Sequence, residues 1–185
     1  LRQMMIGWHL YSDDHDGEVI PTGGMGMIIR NAADPRARPG GTHQNWVLGH
    51  ATQDRDPQLI MNGLLFPYVQ NIELYKCSAD RNKFDGGGRG RGGEPTHRSM
   101  SMNAWMNPQE GFGGHIDNVN YRVYFKQSDI VFPDETWVTI EESPKSINDG
   151  WFVTRPNMPN QWVDVPAQYH TRSAGISFSD GHAEI

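Results

Sequence analysis

The chain has 185 residues, 36% of them apolar, with 21 Gly and 12 Pro; a chain of this length buries roughly 70% of its unfolded surface, so one core with generous loops is expected. Sixteen Lys and Arg against 22 Asp and Glu leave a formal net charge of −6, which argues against a nucleic-acid phosphate track or an anionic membrane surface as the main partner. Cys77 is the sole cysteine, so an intrachain disulfide and a four-thiolate metal site are both excluded.

Leu1, Met4, Met5, Trp8 and Tyr11 follow helical spacing from the first residue, which predicts an amphipathic opening helix. No Ser, Thr, Asp or Asn precedes it as a cap, and the expectation is a helix whose beginning lies upstream. It should end near residues 12–14, where Ser12, Asp13, Asp14, His15, Asp16 and Gly17 bring turn chemistry. That segment resembles the start of a calcium loop, but Gly23 stands where a bidentate Glu is needed, so a helix-ending turn is expected. Residues 22–42 are mostly loop around one apolar run at 25–29. A second helical pattern covers 58–69, with Pro57 in its first turn and Pro67 forcing a break near Leu65.

Residues 84–93 are Gly-rich and lack the Gly-Lys-Ser/Thr ending of a phosphate-cradling loop. Arg89, Arg91 and Arg98 read as a solvated basic loop. The later half is strand-like at 121–125, 136–140 and 151–153. The clearest alternation sets Ala174, Ile176 and Phe178 on one face and Gly175, Ser177 and Ser179 on the other, a strand with one buried face. Asp180-Gly181 then forms a two-residue hairpin turn, with 182–185 returning alongside. The expected fold class is α+β: a helix laid on an antiparallel sheet, with long loops.

The eight His residues form no zinc signature, no Gly-x-Ser-x-Gly elbow is present, and Cys77 has no nucleophile motif around it. The expectation is a protein that is not an enzyme. An acidic group, Glu141, Glu142 and Asp149, follows the 136–140 strand and would hold Ca²⁺ with Asp180 if the strands are neighbours; a solvated acidic rim is the plainer alternative. His170 and Asp180 are separated by nine residues, and a structural hydrogen bond from His170 to the Asp-Gly turn is expected.

That spacing, through Tyr169, His170, Phe178, Ser179, Asp180 and Gly181, resembles the C-terminal motif of the pseudopilin-like, prepilin-type processing-associated proteins. Other blocks agree in order: Leu1-Arg2-Gln3 with Tyr11 to the acidic turn, Gly63 to Val69, and Tyr75-Lys76-Cys77-Ser78-Ala79-Asp80, where Ser78 replaces the family's usual Pro. Further on, Ser99 to Asn103, Ser128-Asp129-Ile130 with Pro133, and Ile140-Glu141-Glu142-Ser143-Pro144 to Gly150 also fit.

The resemblance implies a pilin-like fold in the type II secretion and type IV pilin superfamily, with residues 1–14 the C-terminal half of the long N-terminal helix and 15–185 a globular head. It implies motif roles for His170, Asp180, Gly181, Cys77 and Asp80, other pilin-like subunits as partners, and an inner-membrane anchor with the head outside the cytoplasm. It also implies Ca²⁺ as a candidate ligand. Two alternatives stay open: a secreted carbohydrate-binding module using aromatics among Trp105, Trp137, Trp151 and Trp162, for each of which core packing is the plain expectation, and a metal-dependent hydrolase built on the acidic group.

Overall fold

The apolar stripe at the start of the chain winds into helix α1 (Arg2–Asp14), whose buried residues are Met4, Met5, Gly7, Trp8, Tyr11 and Ser12. The computed structural model describes residues 1–37, 41–85, 93–109, 122–155 and 160–185. The basic residues Arg89 and Arg91 and the start of the expected 121–125 strand lie outside the described residues. Asp16 (φ 52°) and Gly17 (φ 79°) take left-handed conformations and the Gly17 amide donates to the Ser12 carbonyl at 2.9 Å, which ends the helix as its turn chemistry predicts.

The expected 58–69 helix is two single turns, α2 (Gln58–Met61) and α3 (Phe66–Val69). The break comes before Pro67 because the Leu64 and Leu65 amides donate to the Asn45 and Trp46 carbonyls, at 2.9 and 3.3 Å, instead of continuing the helix. Pro67 sits in the first turn of α3, where its missing donor costs nothing. Gly7 of α1 lets α3 come close, since a Cβ there would collide with Val69 Cγ1.

Five strands form one sheet in the order β3-β1-β2-β4-β5, with β1 (Met100–Asn103), β2 (Trp137–Glu141), β3 (Trp151–Phe152), β4 (Ile176–Phe178) and β5 (Ala183–Glu184). The fold is therefore α+β. The sheet is mixed rather than antiparallel, because β3 pairs with β1 in parallel while the other pairings are antiparallel. One core joins Met4, Met5, Trp8 and Tyr11 of α1 to Met100 and Met102 of β1 and Val138 of β2. A second cluster packs Trp151 and Val153 against Ala104 and Trp105. Among the described residues, no helix is long and apolar enough to cross a membrane.

The period-two pattern around β4 holds, but its faces are exchanged. Gly175, Ser177 and Ser179 are buried, while Ala174, Ile176 and Phe178 are only half-buried. The small side chains face inward because there is no room for larger ones: a Cβ on Gly175 would lie 2.8 Å from Leu1 Cδ1 and 3.1 Å from Glu141 Cδ. The buried hydroxyls are satisfied in place, Ser177 Oγ with Thr139 Oγ1 at 2.6 Å and Ser179 Oγ with the Pro133 carbonyl at 3.0 Å. The hairpin after β4 forms, but with a loop of three residues instead of the expected two: the Phe178 amide donates to the His182 carbonyl at 2.9 Å, and Gly181 adopts φ 94°.

Candidate functional site

Glu141 ends β2 opposite Met100, so its side chain projects on the face that β1 offers to α1. It is held from several sides. Its amide donates to the Gly175 carbonyl at 2.9 Å, its carbonyl accepts from Ala167 at 2.8 Å, and its Oε2 accepts from the Gly175 amide at 2.8 Å. The other oxygen, Oε1, lies 3.1 Å from His170 Nε2.

His170 opens a two-residue turn in which its amide and the Ser173 amide donate to each other's carbonyls, at 3.1 and 3.0 Å. Both central residues, Thr171 (φ 51°) and Arg172 (φ 75°), are left-handed. Asn-Gly is the pair that suits such a turn, and a β-branched Thr there is strained. The paired hydrogen bonds of the turn hold His170 beside Glu141 despite that strain, and backbone strain of this kind collects at functional sites.

Cys77 comes from the loop after residues 72–75. Its amide donates to Ser99 Oγ at 2.7 Å, and its Sγ accepts from the Ala79 amide at 3.4 Å and lies 3.3 Å from His170 Nε2. Asp80 is buried behind it, accepting from the Asn82 amide at 2.8 Å and facing Lys76 Nζ at 3.6 Å. Asn82 Nδ2 donates to Tyr169 Oη at 3.1 Å, and Tyr169 Oη donates to the Glu142 carbonyl at 3.3 Å. This network ties the Cys77 loop to the residue preceding His170. A cleft of about 750 Å³, lined by Cys77, Glu141, His170, Lys76, Gly175 and Ala183 among others, opens beside the three side chains.

Their geometry is convergent rather than serial. In a nucleophile-imidazole-carboxylate relay the imidazole joins its two partners through different nitrogens. Here both the thiol and the carboxylate meet Nε2. Burial, and then Glu141, push the Cys77 thiol above its ordinary pKa, the opposite of an activated nucleophile.

The structure distributes the other sequence-derived candidates elsewhere. Glu142 is next in sequence to Glu141 and projects to the other side, where it is fully buried. There it interacts with Asp164 and with Arg98, which also interacts with Asp149. Arg98, expected in a solvated loop, is buried, and its guanidinium donates to the Met100 and Asn148 carbonyls at 2.9 and 3.1 Å. Burial lowers Arg98 to a pKa of about 10 and raises Asp149 to about 7 and Asp164 to about 6. Glu142 rises well above the usual carboxylate range, again mainly through burial.

Asp180 sits on the exposed β4-β5 turn, where Oδ1 accepts from the His182 amide at 3.0 Å and lies 2.6 Å from His182 Nδ1. Those contacts, the amide first, hold its carboxyl below the usual range. The bond expected between His170 and the Asp-Gly turn is therefore replaced by two separate pairings, His170 with Glu141 and Asp180 with His182. Strand β4 lies between the two ends of the motif and keeps them apart. The four acidic residues considered together for Ca²⁺ occupy three places, and the Glu142-Asp149 group already contains a cation. Among the described residues, Cys77, Glu141 and His170 are the group of three or more Cys, His, Asp and Glu side chains whose ligand atoms come within 4.8 Å of one another. Of the tryptophans considered for sugar binding, Trp105 and Trp151 are buried, Trp137 is half-buried, and Trp162 is 64% exposed.

Comparison with known proteins gave no match: no family model, no curated protein and no solved structure matches the chain.

Proposed function

We propose that this chain is the head of a pilin-like filament subunit, of the type II secretion pseudopilus or type IV pilus kind, anchored in the inner membrane and acting outside the cytoplasm through assembly rather than catalysis. The observation that carries the proposal is the two-sided character of α1. One face is sealed onto the sheet by Met4, Met5, Trp8 and Tyr11, while Ile6 and Leu10, one turn apart on the outer face, remain 60% and 45% exposed. Apolar side chains on both sides of a helix suit one that packs inward on its own domain and outward on neighbouring helices of an assembly. The ordered motif blocks, from the opening helix to His170 and Asp180, support the same reading by resemblance.

The test is immunogold electron microscopy of sheared surface material and membrane fractions from cells that express the gene at its own locus, with an antibody raised to this head. Label along filaments or in membrane-retained assemblies is expected. Label confined to freely diffusing monomer would contradict the proposal.

A further inference from the structure

We infer that Cys77, Glu141 and His170 form a binding site for a Zn²⁺-class divalent transition metal, with the thiolate, one carboxylate oxygen and the imidazole Nε2 as three ligands and a fourth position toward the adjacent cleft. This inference does not rest on the filament proposal. The donor set is the first argument: sulfur and imidazole select a borderline or soft ion, whereas Ca²⁺ requires oxygen donors. Distance is the second. Tetrahedral Zn²⁺, with bonds of about 2.3 Å to sulfur and about 2.0–2.1 Å to nitrogen and oxygen, holds such ligand atoms about 3.3–3.6 Å apart. In the structure Sγ and Nε2 are 3.3 Å apart, Nε2 and Oε1 are 3.1 Å apart, and all three atoms lie within 4.8 Å of one another.

Support from the surroundings is the third argument. The Ala79 amide donates to the sulfur at 3.4 Å, and the Gly175 amide fixes the second oxygen of Glu141, as outer partners do at metal sites. The strained turn at Thr171 and Arg172 holds His170 in place. The three ligands come from separate parts of the chain, the loop after residues 72–75, the end of β2 and the turn before β4, so one ion would clasp all three together.

The experiment is titration of the chelator-treated chain with Co²⁺ and then Zn²⁺, followed by absorption spectroscopy. A single equivalent of Co²⁺ is expected to produce a thiolate-to-cobalt charge-transfer band, and Zn²⁺ is expected to abolish it by displacement. Because Cys77 is the only cysteine, that band in the wild-type chain reports this site even if a variant fails to fold. Cys77→Ser should lose the band, and His170→Ala and Glu141→Gln should weaken binding by roughly 100-fold or more, exceeding the loss usual for outer partners. Asp180→Asn should bind as wild type. Absence of the band from the folded wild-type chain, or wild-type affinity in folded His170→Ala and Glu141→Gln, would overturn the assignment.

Discussion

Glu141 and Glu142 are neighbours in sequence, yet the alternation of an extended chain sends them to different environments. Glu141 joins a thiol and an imidazole; Glu142 enters a buried group with Arg98, Asp149 and Asp164. That buried group makes stability depend on pH. A carboxyl raised in the folded state binds its proton more tightly there than in the unfolded chain, so its contribution is present at acid pH and is lost as pH rises through the folded value. With Asp149 raised from 3.8 to about 7 and Asp164 from 3.8 to about 6, the unfolding free energy from urea denaturation should fall between about pH 4 and about pH 7, by up to about 1.4 kcal/mol per pH unit for each differing proton. Asp149→Asn should flatten that slope. Arg98→Ala should destabilise by about 3–5 kcal/mol, because it leaves buried carboxyls without their cation. Gly175→Ala tests the support of Glu141: the added methyl, 3.1 Å from Glu141 Cδ, should displace the carboxylate and weaken Co²⁺ binding about tenfold while circular dichroism stays unchanged.

At the scale of elements, α1 depends on its contact with β1 and β2. Trp8 is 1% exposed within the core that includes Met102 and Val138, so Trp8→Ala should cost about 3–5 kcal/mol in chemical denaturation. The 170–173 turn offers the opposite outcome. Replacing Thr171 and Arg172 by Asn and Gly relieves left-handed strain of about 1–3 kcal/mol per residue, so the double variant should melt at higher temperature. Legibility in the sequence followed local pattern. The α1 stripe, its acidic end, β2 and the β4 alternation were readable because each is a periodic signal within one segment. The buried face of β4 was not, because glycine and serine become interior residues only through the nearness of Leu1, Glu141 and Thr139. Nor was β1 readable as a strand: Met100 to Asn103 alternates apolar and polar residues over only four positions, and it lacks β-branched and aromatic residues. Cys77, Glu141 and His170 each drew notice in the sequence for a different reason. Their convergence is hidden in the sequence because it is made by pairing between distant segments, and the nine-residue spacing relates His170 to Asp180 instead of to Glu141.

In the whole molecule, a sealed helix-sheet core is joined to an outer helix face that still carries the apolar side chains of Ile6 and Leu10. An isolated head gains nothing by exposing Ile6 and Leu10, whereas a subunit stacked by its helices buries them. The most direct measurement is cross-linking of the full-length protein in its own cells. A variant carrying both Ile6→Cys and Leu10→Cys would be treated with a short bis-maleimide, with the parent chain, whose Cys77 is buried, as control. A ladder of covalent oligomers in the sheared filament fraction, absent from the parent, is the result the account predicts. A variant that folds as the parent does yet yields only monomer would contradict it.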